Sequence, residues 1–136
     1  MKILELNEAQ LETLEEQLSA FDEHHITYKM DGSIQIGIEE DGKIVAGLDA
    51  CVTAFKILYV STVFVEEAYR RKGYGKRLME EMEKRARGMG VNLIRLDTFN
   101  WQGKEFYEAL GYEVVGSYEN PVDGYAEFFF IKRIEL

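Results

Sequence analysis

The sequence predicts a single α/β domain: a mixed, mostly antiparallel sheet with a central parallel β-α-β crossover and flanking helices. A length of 136 residues suits one domain over residues 1–136. Apolar residues at 46% and aromatics at 12% are enough for a core. Apolar residues recur every 2 residues in some segments, which predicts strands, and about every 3.6 residues in others, which predicts helices. The predicted elements follow the order helix, hairpin, β-α-β, helix, hairpin.

The first part of the chain is predicted to contain one helix and three strands. Asn7 and Gln10 have the spacing of a capping box before an amphipathic helix over residues 8–21. Isoleucines alternate in 34–38, and Asp41-Gly42 predicts a two-residue hairpin turn to a strand over residues 44–53. The nearly uncharged run 57–65 predicts a third strand covered on both faces. The apolar stripe of the helix is Leu11, Leu14, Leu18 and Phe21.

The second part is predicted to supply the crossover and a last hairpin. A helix from about Gly75 to Gly88 and a strand over 92–98 complete a right-handed β-α-β unit. A short helix from about Trp101 ends at Gly111, a glycine placed as a C-terminal cap. The final strands are 113–117 and 125–133, and the run Phe128-Phe129-Phe130 is interpreted as buried on both sides.

The charge distribution points to a small anionic ligand. The chain has 25 acidic and 16 basic residues, a net charge of −9, yet residues 70–77 hold five cations in eight positions. A net-acidic chain is a poor general binder of nucleic acid or of an anionic membrane, so neither is expected as a partner. One compact basic segment fits a small anion instead.

Other counts narrow the class of protein. Cys51 is the single cysteine, which excludes an intramolecular disulfide. It is interpreted as a small buried apolar residue, since the reaction expected below needs no covalent enzyme intermediate. Two histidines and one cysteine do not provide the ligand set of a structural zinc site, so no metal is expected. No apolar run approaches the ~20 residues of a membrane span, and the acidic start lacks signal-peptide features, so the expected location is the cytoplasm.

The segment after the third strand has the composition of a phosphate-binding loop. A strand ending at Val65 is followed by Arg70-Arg71-Lys72-Gly73-Tyr74-Gly75 and then by a helix. Backbone N–H groups and the helix N-terminus would converge on one anion there, and glycines permit close approach. The Walker loop is excluded because Arg77 follows Lys76, and the dinucleotide fingerprint is excluded because Leu78 occupies its third glycine position.

Two motifs resemble those of the GNAT superfamily, the Gcn5-related N-acetyltransferases. Arg70-x-x-Gly73-x-Gly75 resembles the Arg/Gln-x-x-Gly-x-Gly/Ala motif, and Val63-Phe64-Val65 resembles the triplet that ends the family's fourth strand. Further along, Asn100-x-x-Gly103-x-x-x-Tyr107-Glu108-x-x-Gly111-Tyr112 is similar to the family's Asn-x-x-Ala-x-x-x-Tyr-Glu-Lys-x-Gly-Phe signature. The order of elements from about 34 to 115 also follows the family plan, so the resemblance implies a single GNAT-like domain over residues 1–136.

The resemblance implies acetyl-CoA as co-substrate and assigns residues to it. The backbone of Val63 and Val65 would bind pantetheine where two strands splay apart, the loop would hold the pyrophosphate, and Asn100 would hold the thioester end. Tyr107 would be the general acid that protonates the CoA thiolate. The seven-residue spacing supports this pairing, because it brings Asn100 and Tyr107 back to nearly the same helix face, two turns apart. The expected cofactor-binding residues are Val63, Phe64, Val65, Arg70, Arg71, Lys72, Gly73, Tyr74, Gly75, Lys76 and Asn100.

The general base and the acceptor are left open. Tyr59 and Ser61 occupy the positions where several family members carry a strand-borne Glu or His. A water chain, an acid of the hairpin or an acceptor amine of low pKa remain as alternatives, and the hairpin acids are Asp49, Glu39 and Glu40. Residues 1–42 contain 11 acids and two lysines, a weak indication of a cationic acceptor.

The function predicted from these observations is direct acetyl transfer to a primary amine of a small molecule or peptide. A CoA-binding regulatory module without turnover is the alternative, and an anion-binding interaction domain is a third reading. Family members often form homodimers, and no feature of the sequence decides this point.

Overall fold

The computed structural model describes residues 1–134, which form three α-helices, one 3-10 turn and six strands. The predicted single α/β architecture is confirmed, with element ends shifted by a few residues. In chain order the elements are α1 (Glu8–Glu23), β1 (Ser33–Glu40), β2 (Lys43–Ala54), β3 (Ile57–Val65), the 3-10 turn (Glu67–Tyr69), α2 (Tyr74–Met89), β4 (Leu93–Phe99), α3 (Lys104–Ala109), β5 (Glu113–Asn120) and β6 (Tyr125–Arg133).

The six strands form one sheet in the order β1-β2-β3-β4-β6-β5. The β3–β4 pair is parallel and the four other pairs are antiparallel, as the predicted crossover requires. The β1–β2 turn places Asp41 and Gly42 at φ 52° and 78°, the two left-handed residues of a type I′ hairpin. Asp41-Gly42 is therefore the turn that the sequence predicts.

Helices cover one face of this sheet and leave the other open. Buried side chains of β1–β4 and β6 point toward α2, and the largest of them include Leu58, Ile94 and Phe130. Side chains of the alternate register, such as Asp49, Tyr59 and Asp97, point to the opposite side, which we call the open face. The sheet is thus packed as two layers within the described residues.

The open face corrects three expectations. The third strand is not covered on both faces, since Ser61, Thr62 and Phe64 are exposed. In the Phe128–Phe130 run, Phe130 is buried but Phe129 is 38% exposed on the open face. Cys51 is exposed as well, because it lies in the open-face register of β2. The lack of charge in these segments predicts burial on both faces. Serine, threonine and aromatic side chains are, however, also stable on a partly exposed face of a sheet.

The N-terminal arm, residues 1–23, projects from the domain. Asn7 Oδ1 accepts from the Gln10 N–H (2.8 Å) and Gln10 Oε1 accepts from the Asn7 N–H (3.0 Å), which confirms the predicted capping box. No residue of α1 is buried. Its apolar stripe is exposed, with Leu18 at 60% and Phe21 at 62%. The helix forms as the sequence predicts, but no other part of residues 1–134 covers its apolar face.

A buried acid joins α2 to the last hairpin. The Glu83 side chain is 8% exposed and accepts hydrogen bonds from Lys132 Nζ (2.8 Å) and the Tyr112 hydroxyl (3.1 Å). Arg87 Nη2 lies 3.8 Å from it on the next turn of the helix. Burial, followed by the neighbouring Glu83 carboxylate, raises the pKa of Tyr112, so this phenol stays a donor. The carboxylate therefore ties three elements together.

No helix in residues 1–134 is long and apolar enough to cross a membrane.

Candidate active site

The sheet has a gap between its two central strands. β3 and β4 pair only at Ile57↔Leu93, Leu58↔Ile94 and Tyr59↔Arg95. Beyond this short seam β3 continues beside β2 to Val65, and β4 continues beside β6 to Phe99. The carboxyl-terminal halves of two parallel strands thus separate, which is where open α/β sheets bind ligands.

The backbone of β3 faces this gap at two positions. Val63 and Val65 pair with Leu48 and Ala46 of β2, while the Glu66 N–H donates to the Val45 carbonyl (2.9 Å). Hydrogen-bonded and non-hydrogen-bonded pairs alternate along an antiparallel ladder. The N–H groups of Val63 and Val65 and the Val63 carbonyl therefore point away from β2, toward the gap, and the Val65 carbonyl on the same edge accepts from Arg70 Nε.

The N-terminus of α2 opens beside the end of β3. Gly73 is its N-cap at φ 82°, and no side chain caps the helix. Arg71 also has a positive φ of 65°, which turns the loop tightly before the helix. The first N–H groups of α2 and the positive end of its dipole are consequently available to an anion.

The cations of the loop surround that helix end. Arg71, Lys72, Lys76 and Arg77 are exposed, and Lys76 Nζ is 3.9 Å from Glu80. Arg70 has a partly different position from the one expected: its Nε donates to the Val65 carbonyl (2.8 Å) and its guanidinium lies 5.4 Å from the Phe64 ring centroid. Arg70 therefore fixes the end of β3 and remains exposed to solvent.

Gly75 permits close packing of α2 against α3. A Cβ at this position would lie 3.1 Å from Cζ of Phe106 and 3.9 Å from Cγ2 of Val65. The helix N-terminus, the end of β3 and α3 thus meet at one point. Tyr74, the residue before, donates its hydroxyl to Glu40, which connects α2 to β1 and raises the pKa of Tyr74.

We expect Gly75→Ala to be less stable than Gly88→Ala by about 1 kcal/mol or more. Both substitutions raise helix propensity. Only the Gly75→Ala methyl group would crowd the Phe106 ring, whereas a Cβ at Gly88 would meet nothing within 4 Å. Calorimetric unfolding of the two variants measures the difference, and CoA titration of each shows whether the displacement reaches the helix end. Equal melting temperatures would mean that the α2–α3 contact accommodates the added methyl group without a loss of stability.

Tyr107 lies on α3 beside this junction. Its ring is 5.1 Å from that of Phe106 and 5.9 Å from that of Phe130, on the helical side of the sheet. Burial raises the pKa of Tyr107. The hydroxyl is bonded to no other residue among those described, and it is not sealed from solvent. A protonated phenol is therefore available at the helical side of the gap.

Asn100 is not on the same helix as Tyr107, which corrects the shared-face argument. α3 begins only at Lys104, because Phe99 and Gln102 form a turn in which the Phe99 N–H donates to Gln102 Oε1 (2.7 Å). Asn100 instead accepts from the Ala126 N–H through Oδ1 (3.0 Å), and its own N–H donates to the Ala126 carbonyl (2.9 Å). Asn100 thus holds β4 to the start of β6.

The open face brings acids to the other side of the gap. Tyr59, at the end of the β3–β4 seam, donates its hydroxyl to Asp97 Oδ2 across the strands (3.1 Å). Burial, then this hydrogen bond, raises the pKa of Tyr59, and the Arg95 guanidinium lies 4.4 Å from its ring centroid. Asp49 accepts from Gln35 Nε2 (3.2 Å) on the same face. Asp97 was not among the sequence candidates, since its partner is 38 residues away along the chain.

Comparison with known proteins defines the class. The family model described as the acetyltransferase (GNAT) family matches residues 2–112. The chain therefore belongs to the GNAT acetyltransferase family, as its two motifs predict.

Two curated relatives match in part. An L-ornithine N5-acetyltransferase of Arabidopsis thaliana is 36% identical over 58 residues, which cover 41% of this chain and 25% of that protein. An acetyltransferase of Agrobacterium fabrum is 34% identical over 84 residues, 62% of this chain and 61% of that one. The matches thus span less than two thirds of each relative's length.

Solved structures extend the likeness to the whole chain. A crystal structure of an acetyltransferase from Bacillus cereus is 28% identical, with a TM-score of 0.92 over 98% of both chains. Because the N-terminal arm is about a sixth of the chain, such a score requires the arm to follow nearly the same course in both. An aminoglycoside 6'-N-acetyltransferase complexed with coenzyme A shares the fold, with a TM-score of 0.65 at 19% identity over 98% of this chain and 97% of that one.

Proposed function

We propose that the protein transfers an acetyl group from acetyl-CoA to a primary amine of a small molecule or peptide. The observation that carries this proposal is the alignment of three features around one gap: the Val63 and Val65 backbone, the uncapped N-terminus of α2 and the free hydroxyl of Tyr107. The strand backbone can hydrogen-bond the amides of a pantetheine arm, and the helix N-terminus can bind a pyrophosphate. The Tyr107 hydroxyl can protonate a leaving thiolate.

The two faces of the sheet divide the reactants in this proposal. The basic loop and Tyr107 lie on the helical side, so CoA enters there and its thioester reaches the gap. The open face is left for the amine, which attacks the thioester carbonyl through the gap. Holding both reactants in register supplies much of the acceleration. A bond forms between nitrogen and the carbonyl carbon, the carbon–sulfur bond breaks, and Tyr107 gives its proton to the sulfur.

Asp97 is the base that the geometry favours. Glu40 is engaged by Tyr74 on the helical side, and Asp49 lies on β2, one strand away from the gap. Asp97 is the second residue of β4 beyond the seam and lies on the open face. Its Oδ2 is oriented by the hydrogen bond from the Tyr59 hydroxyl. An acceptor that binds as an ammonium first releases one proton to solvent, and the neutral amine then attacks. The nitrogen becomes acidic once it has attacked the carbonyl, so the Asp97 carboxylate can accept the second proton.

The acceptor expected from this surface is a cationic amine. Asp97 and Asp49 share the open face, and aromatic rings follow Asp97 two residues further along β4: Trp101 is stacked on Phe99 at 4.7 Å, and Tyr125 contacts Phe99 edge to face. Carboxylates and ring faces both attract ammonium groups. A panel of diamines, amino acids and aminoglycosides therefore covers the relevant chemistry.

The decisive experiment mixes the protein with acetyl-CoA and this amine panel and follows free thiol. Thiol release that depends on one amine class, with the acetylated amine found by mass spectrometry, supports the proposal. A thermal shift with CoA but no turnover on any amine would favour the regulatory CoA module. No thermal shift with CoA would overturn both readings and leave the anion-binding domain.

With the best amine of that panel, we expect Asp97→Asn to lower kcat about 10- to 100-fold and to leave the KM for acetyl-CoA unchanged, because only the proton acceptor is removed. Asp49→Asn is the matched variant on the same face and should lose less. A larger loss in Asp49→Asn than in Asp97→Asn would assign the base to Asp49 instead.

A further inference from the structure

The N-terminal arm and the open face are both uncovered in one chain. The arm carries eight exposed large hydrophobic side chains. Extended and helical segments of this composition are stable only when a second surface covers them. The eight are Met1, Ile3, Leu4, Leu6, Leu11, Leu14, Leu18 and Phe21.

The open face has a shape that suits a helix. Gly37, Gly47 and Phe64 stand in register across β1, β2 and β3, so two of three positions in this row have no side chain. Ile44, next to Gly37, is 63% exposed, and Phe64 is 57% exposed. The row is therefore a shallow trough with an apolar residue at each side. β1 is also an outer strand, so its free edge lies beside the trough.

We propose that two copies of the chain exchange their N-terminal arms, so that α1 of each copy covers the trough on β1–β3 of the other and leaves the β4 side of the open face, with Asp97, uncovered. Both complementary surfaces belong to one chain, which is what a closed two-fold interface requires. The arm leaves its own domain, and it follows the same course in the Bacillus cereus crystal structure.

The area of the arms fits a stable dimer. Each exposed apolar side chain has on the order of 100 Å² to bury. Two arms with eight such side chains each therefore bury about 1,600 Å² on the arm side alone, the size of a standard protein interface. In the competing arrangement, the arm folds back onto the open face of its own chain, and the protein is then a monomer.

The first test is sedimentation equilibrium of the whole protein at micromolar concentration. We expect a dimer for the natural sequence and a monomer for Leu14→Glu/Leu18→Glu. The matched control, Glu12→Gln/Glu16→Gln, changes two residues on the opposite side of α1 and should remain a dimer. These side chains are exposed in one chain, so circular dichroism and the melting temperature of the monomer should show an intact domain. A monomeric natural protein, or a dimer that survives both leucine replacements, overturns the proposal.

The second test distinguishes exchange from any other dimer. Ile44→Glu changes the receiving face alone and should also be monomeric. Mixing this variant with Leu14→Glu/Leu18→Glu allows one intact arm to meet one intact face, so a mixed dimer should form although neither variant dimerises alone. Absence of the mixed dimer at concentrations ten times those at which the natural protein dimerises would contradict the exchange.

Discussion

Replacement of Tyr107 by phenylalanine is expected to lower kcat about 100-fold or more while the Kd for CoA changes little. The hydroxyl bonds to no other described residue, so its loss leaves packing intact and removes only a proton donor. A positioned general acid contributes about 10²–10⁴-fold to a rate. Pre-steady-state thiol release and CoA titration of the same sample measure the two quantities separately.

The direction of the pKa adds a pH signature to this prediction. Burial raises the pKa of Tyr107, so the phenol keeps its proton to a higher pH than a free tyrosine does. The natural protein should therefore show no loss of kcat from this group between pH 7 and pH ~10. A fall in that window that Tyr107→Phe abolishes would mean that the residue works as an anion and not as an acid.

Tyr112→Phe is the matched control for the chemistry. The rings of Tyr107 and Tyr112 are 6.1 Å apart, but the Tyr112 hydroxyl donates to Glu83 and not toward the gap. This variant should keep kcat and lose about 1–3 kcal/mol of stability, since a buried carboxylate loses a donor. If both variants lose turnover equally, the effect is structural and Tyr107 is not the acid.

Replacement of Glu83 by alanine is expected to cost about 3–5 kcal/mol of the free energy of unfolding. The carboxylate is almost fully buried, and its removal leaves the Lys132 ammonium, 24% exposed, without its counter-ion at 2.8 Å. The melting temperature should fall by roughly 10–20 °C for a domain of this size. Thermal and urea unfolding with matched m-values measure the loss.

Glu81→Ala provides the comparison on the same helix. Glu81 pairs with Arg85 at 3.5 Å, with both side chains largely in water. An exposed pair of this kind is worth about 0–1 kcal/mol. A loss of stability in Glu83→Ala no greater than in Glu81→Ala would show that the buried network contributes no net stability.

Elements with a local chemical signature could be predicted from the sequence. Asn7 and Gln10 form their capping box through contacts three residues apart, and Asp41-Gly42 adopts the left-handed conformations of its turn. The loop between β3 and α2 could be predicted for the same reason, since Gly73 and the uncapped helix end depend on neighbours in the chain. Family membership followed from those residues and from the second motif.

Features that depend on distant contacts could not be predicted. The i,i+4 spacing of Glu83 and Arg87 resembles a solvated pair, and only the return of Lys132, 49 residues later, makes the acid a buried hub. No residue near Asp97 in the sequence marks it as a candidate, because its hydrogen-bond partner, Tyr59, lies on a different strand. α3 begins late because one glutamine side chain competes for the backbone of Phe99. Hydrophobic period carries none of this information.

The short β3–β4 seam has a consequence for how the protein can vary. Beyond it, the edge of β3 offers main-chain amides at Val63 and Val65, spaced about 6.6 Å apart along the strand. A ligand that lies there completes the sheet as one more strand would, and it is recognised by main-chain atoms that every amino acid except proline possesses. Binding of such a ligand is therefore insensitive to most substitutions at these two positions. Under the proposed function, the amine specificity on the open face could change while CoA binding on the helical side stays the same.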